Sequence, residues 1–206
     1  MWYSYYGDGY EAQSWPLSYR QNNANNIAYY FQQLGWTLSA ICAMLGNMQV
    51  ESYLNPGQWE HGYGVETPAP PRHGYGLVQW TNWTKYTDFA DQYGIDWRTN
   101  FDFQCTRIQW ECENGEQWQP VAWGGMTFQE FAHSTDSVYT LTEAFLRAYE
   151  APGDPSASLA LRQSYAAYWY EYFTGTPPTP PTPTPTQRNR MKIMFYLKPK
   201  WKRGFI

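Results

Sequence analysis

A mainly α-helical domain with one small irregular or β loop region, followed by an extended spacer and a basic tail, is what these 206 residues predict. Three observations predict it. Apolar residues recur at three- and four-residue spacing through most of the first 173 positions, the period of helices that bury one face. The stretch 56–82 breaks that period with Gly57, Gly62, Gly64, Pro68, Pro70, Pro71, Gly74 and Gly76. Positions 174–187 read TGTPPTPPTPTPTQ, whose prolines and threonines favour a polyproline II spacer.

The elements follow in order. Ile27, Tyr30, Phe31 and Leu34 make one face of a first helix over 22–34, and Gly35 stops it. Thr37 caps the second, with Leu38, Ile41, Cys42, Leu45 and Met48 as its stripe. A third runs from about Trp83 to Tyr93, and Phe101, Cys105, Ile108 and Cys112 define a fourth. Thr127 and Glu130 form a capping box for a short fifth helix. Val138, Leu141, Phe145 and Tyr149 mark a sixth that must end before Pro152. The seventh starts near Ser156 and carries Leu159, Ala166, Trp169 and Phe173. The irregular stretch 56–82 reads as loop with a short hairpin. Long loops of this kind in compact domains usually serve function.

Composition excludes several classes. Aromatics reach 20%, with 12 Trp and 19 Tyr, while charged residues are only 16%, far from the profile of a disordered chain. Most of these rings are expected in the core; the surplus suits a sugar cleft, where a ring packs on the apolar face of a pyranose. No run of about 18 apolar residues occurs, and the N-terminal stretch lacks a basic region followed by an apolar core, so neither a membrane helix nor a signal peptide is expected. Cys42, Cys105 and Cys112 each fall in a helical segment and are expected as free buried thiols. Charge is divided sharply: residues 1–186 hold all 18 acids and seven basic residues, a net of −11, while the last 20 hold seven basic residues and no acid. The expected organisation is one folded domain over 1–173, the linker 174–187, and a basic aromatic tail over 188–206.

Glu51 is the candidate catalytic acid. Glycoside cleavage needs a proton donor for the leaving oxygen, and a carboxylic acid serves at neutral pH only where its surroundings keep the proton on. Glu51 ends the second helix, three residues from Met48 and seven from Met44, so apolar surface and the negative helix terminus would both favour the protonated form. Gly46 would admit close approach of another backbone or a ligand. His61, His73 and His133 have no partners at metal-ligand spacing, so neither a metal nor a cofactor is expected.

GNMQVESYLNPG at 46–57 followed by GYGLVQWT at 74–81 resembles the phage tail lysozyme family, relatives of goose-type lysozymes and lytic transglycosylases. The likeness continues through NNANNIAYYFQQLGWT at 22–37, MTFQEF at 126–131, FLRAYEAP at 145–152 and the terminal AAYWYEYF, covering roughly residues 20–173. The resemblance implies a lysozyme-like fold with the loop region beside the cleft. It also implies cleavage of bacterial peptidoglycan between N-acetylmuramic acid and N-acetylglucosamine. Glu51 of the Glu51-Ser52 pair is then the acid, and Gly76, Leu77 and Gln79 stand in a Gly-Leu-x-Gln element that lines the sugar cleft as a strand in the wider superfamily. Gln79, Tyr75, Trp80 and Tyr149 become substrate-binding candidates, with Glu150 in place of the Asn that usually follows that tyrosine. A second carboxylate has no motif; Glu60 and Glu66 in the loop are the candidates. A lytic transglycosylase needs none, because the substrate's own 6-hydroxyl attacks, and a non-catalytic wall-binding virion protein is the reading from outside enzymology. The resemblance places the protein in the virion tail, made in the host cytoplasm and acting on the host wall. The tail 188–206 mixes its basic residues with Phe195, Tyr196, Trp201 and Phe205, a pattern that by itself suits anionic wall polymer, nucleic acid or an acidic virion protein. Phage tail proteins are the expected partner there, with neither nucleic acid nor membrane.

Overall fold

The computed structural model describes residues 1–7, 10–60, 63 and 72–175. Glu66, His61, the spacer from 176 and the basic tail lie outside the described residues. The helices are α1 (Tyr10–Gln13), α2 (Leu17–Gln33), α3 (Leu38–Ser52), α4 (Thr84–Gln92), α5 (Asp102–Asn114), α6 (Phe128–His133), α7 (Val138–Phe145) and α8 (Leu159–Thr174). All seven expected helices are present, and the fold is mainly α.

α3 is the central element. Every residue from Ala40 to Ser52 is buried, and the helix packs chiefly on α8, then on α7. Gly46 makes the α3–α8 approach possible, since a Cβ there would lie 2.5 Å from the Arg162 carbonyl oxygen and 2.7 Å from the Ala166 Cβ. The close approach expected at Gly46 is therefore to the backbone of α8. Thr37 fixes the start of α3 by accepting from the Ala40 amide at 3.2 Å, and its own hydroxyl donates to the Ser134 carbonyl at 2.6 Å, tying α3 to the end of α6. The capping box of Thr127 and Glu130 opens α6. Cys42, Cys105 and Cys112 are free and buried.

Most of the aromatic surplus is spent on the core. Trp118 stacks on Phe128 at 4.8 Å and packs with Phe131 and Phe145. A second group joins Trp59, Tyr75, Trp83 and Trp97 beside the loop region. Such pairs add about 0.5–1.5 kcal/mol each beyond simple burial.

Four features differ from the sequence reading, the first being that the helix read from residue 22 begins at Leu17. The sixth helix is regular only to Phe145 and continues as a π-turn over Leu146–Glu150. It ends at Ala151 with φ 46°, one residue before Pro152. The seventh begins at Leu159, after a short 3-10 turn at Pro155–Ala157 capped by Asp154. Among the described residues of the loop region, the expected hairpin shows as one antiparallel bridge between Trp59 and Tyr75. It is flanked by amide donations from Glu60 to Gly74 and from Gly76 to Gln58. Among the described residues no helix is long and apolar enough to cross a membrane.

Candidate active site

Glu51 is on the last turn of α3 and only 4% exposed. Its surroundings differ from the expected apolar wall. The fully buried Arg162 of α8 donates from Nη2 to Glu51 Oε1 at 2.6 Å. The same guanidinium donates from Nη1 to Asn47 Oδ1 at 3.0 Å and to the Asn47 carbonyl at 3.3 Å, and from Nε to Ser158 Oγ at 2.9 Å. Asn47 is itself fixed, its Nδ2 donating to the carbonyls of Ala43 and Thr142. Burial and the helix terminus favour the protonated acid, whereas the guanidinium favours the carboxylate. The reading of Glu51 as an acid in apolar surroundings is corrected on this point: a cation faces it, held by four acceptors.

Ser52 links Glu51 to the glycine-rich loop, its hydroxyl donating to the Leu77 carbonyl at 2.8 Å. Gly76-Leu77-Val78-Gln79 is a turn here, not a strand. Gly76 takes φ 81° and Gln79 φ 50°; the amide of Leu77 and the carbonyl of Pro56 are both held by the buried Gln104. Gln79 is buried, with Nε2 donating to the carbonyls of Gln58 and Gly76 at 3.0 Å. Val78 and Gln79 nonetheless form one wall of a cleft of about 300 Å³, completed by Thr81, Lys85, Glu116, Gln117, Trp118, Gln119, Glu150 and Ala151. Lys85 donates to Gln117 Oε1 across it at 2.7 Å.

Tyr75, Trp80 and Tyr149, read as cleft residues, are placed in the core. The Tyr75 ring packs on Trp59 and Trp97, and burial raises its hydroxyl well above the usual tyrosine range. Trp80 stacks on Tyr86 at 5.1 Å. Both Trp80 and Tyr149 turn their polar edges onto Glu111, which the sequence reading did not single out. Glu111 is fully buried and receives the Trp80 indole at 3.0 Å, Arg107 Nε at 2.9 Å and the Tyr149 hydroxyl at 2.5 Å. Burial pushes its carboxyl above the usual range, and Arg107, Tyr149 and Trp80 offset part of the rise. A signal was present: Glu111 lies on the same stripe as Gln104, Cys105 and Ile108, a carboxylate on the face that enters the core. Arg162 carried the same signal, three residues after Leu159 and four before Ala166.

Glu60 is held inside the loop. Its Oε2 accepts the Gly74 amide at 2.7 Å and lies 3.3 Å from His73 Nδ1, and Glu60 is not among the residues that line the cleft. His133 bonds the Gly35 carbonyl. Among the described residues no group of three or more His, Cys, Asp or Glu could hold a metal ion.

Residues 22–173 match the family described as phage tail lysozyme. Morphogenesis protein 1 of Bacillus phage B103 is 44% identical over 157 residues, which is 76% of this chain and 40% of that protein. The chain thus spans well under half the length of that relative. The match runs from within α2 to the penultimate residue of α8 and takes in Glu51, the 76–79 turn and the cleft, and the chain belongs to the phage tail lysozyme family.

Proposed function

We propose that the chain cleaves the glycan strand of bacterial peptidoglycan, between N-acetylmuramic acid and N-acetylglucosamine, by hydrolysis, as a tail component of a phage virion. Glu51 is the general acid and Arg162 the residue that positions it. The observation that carries this reading is the buried Glu51–Arg162 pair inside a chain of this family. A buried ion pair is a costly way to fill space between two helices, because well-packed apolar residues there are often as stable or more so. Titratable groups perturbed by burial and a specific charged partner cluster at functional sites. The contact engages Oε1. The basic tail 188–206 serves as an attachment element, through the spacer, to tail proteins or anionic wall polymer.

Cell-wall zymography of the wild type and Glu51→Gln tests the assignment. The amide keeps an acceptor for Arg162 but has no proton to give, so turnover should fall about 100-fold or more. A folded variant that keeps more than a tenth of wild-type turnover removes Glu51 from the role. Mass spectrometry of the products should show reducing muramic ends; a predominance of 1,6-anhydro ends would make the chain a lytic transglycosylase.

A further inference from the structure

The proposed hydrolysis needs a second carboxylate, and we infer that Glu150 supplies it: the group that takes a proton from the attacking water lines the same cleft as Val78 and Gln79 of the 76–79 turn. The inference rests on the glycosidase reading and identifies its missing partner.

Four observations meet at this residue. Glu150 is the last residue of the π-turn, 9% exposed, and a lining residue of the 300 Å³ cleft. Of the acids that line the cleft, Glu116 is exposed to solvent while Glu150 is buried. Its backbone is held on both sides. Tyr149, the preceding residue, is anchored by its hydroxyl to Glu111 and by its carbonyl to Gln117 Nε2 at 3.1 Å. Ala151, the next, takes φ 46° and donates its amide to the Leu146 carbonyl.

The cleft also concentrates unusual backbone. Gln79, Gln117 and Ala151 line it, and each is a non-glycine residue at positive φ, 50°, 63° and 46° respectively. Strain of this kind persists where the surroundings enforce it and gathers at functional sites.

The 76–79 turn connects the two acids. Ser52, next to Glu51, holds Leu77, and Val78 and Gln79, next along, share the cleft with Glu150. In the reaction, the water oxygen bonds to the anomeric carbon of the muramic residue while Glu150 accepts a water proton. The bond from that carbon to the glycosidic oxygen breaks, and Glu51 donates its proton to the departing oxygen. One water is consumed, a reducing end and a free hydroxyl form, and solvent returns the proton from Glu150 to Glu51.

Steady-state kinetics on soluble glycan oligomers, with thermal melts of each variant, test the assignment. Glu150→Gln should lose about 100-fold or more in kcat with KM and fold unchanged. Glu150→Gly should regain cleavage in sodium azide, which needs no base, and leave a muramic azide end visible by mass spectrometry, whereas azide should not rescue Glu51→Gln. Should Gln or Gly prevent folding, Glu150→Asp keeps the charge, draws the carboxylate back by one methylene and should still lower kcat. A folded Gln variant above a tenth of wild-type kcat, a folded Gly variant that azide does not rescue, or an Asp variant with full kcat overturns the assignment while leaving Glu51 in place. A wild type that cuts no glycan, or leaves anhydro ends, overturns the hydrolase reading and the role of Glu150 with it.

Discussion

Replacing Arg162 with Met isolates what the buried ion pair contributes. Met has a similar length and no charge, so the space between α3 and α8 stays filled while Glu51 loses its partner. Three further acceptors, Asn47 Oδ1, the Asn47 carbonyl and Ser158 Oγ, lose donors at the same time. Removing one side of a buried pair costs about 3–5 kcal/mol, because the remaining charge is left without compensation. For a domain of this size each kcal/mol moves Tm by about 2–4 °C, so Arg162→Met should melt about 6–20 °C lower. Glu51→Gln alone should cost less, since the amide oxygen can still accept from Nη2. The double variant should be more stable than the sum of the two single losses implies, with a coupling of about 0.5–3 kcal/mol. Thermal and urea unfolding of the four proteins provide the cycle. Strict additivity, or a Tm for Arg162→Met within 2 °C of wild type, would refute the claim that the pair is closed and desolvated in solution; that threshold is about 1 kcal/mol.

Gly46→Ala should lower Tm by about 2–12 °C, because its methyl would meet the Arg162 carbonyl at 2.5 Å and force α3 and α8 apart at about 1–3 kcal/mol; an unchanged melt would mean that the helices are not packed this closely. Glu111 gives a pH signature: burial raises its folded carboxyl above the usual glutamate range. Its stabilising contribution is therefore complete below that range and falls as pH rises through the folded value. The Tm advantage of wild type over Glu111→Gln should accordingly shrink as melts move from pH 4 toward neutrality, and an advantage that grows would reverse the sign of the shift. A chain ending at Phe173 should still melt cooperatively and cut soluble oligomers, while binding whole walls or virions less in low salt; failure to fold would show that residues beyond 173 belong to the core.

Helices were the most legible part of the chain, because their evidence is local. The stripe of α3, the cap at Thr37, the capping box at Thr127 and the stop before Pro152 are each written within a few residues. Boundaries shifted where tertiary contacts intervened, as where α7 widens into a π-turn so that Tyr149 reaches Glu111. The aromatic residues show the limit more sharply. Tyr75 and Trp80 sit in the motif a cleft reading would choose, yet whether a ring faces sugar or core depends on partners far along the chain, here Trp97 and Glu111.

By itself the sequence determined the helical class, the glycine-rich break after α3, the family resemblance and the candidacy of Glu51, since periodicity, turn chemistry and motif spacing are properties of neighbouring residues. Only the tertiary structure decided what Glu51 meets. Arg162 is 111 residues away, and no spacing rule reaches that far; Gly46 brings α8 close enough for the guanidinium to pair with the acid. The cleft has the same origin: Gln79, Lys85, Gln117 and Glu150 converge from four separate segments, so their shared chemistry exists only once the chain is packed.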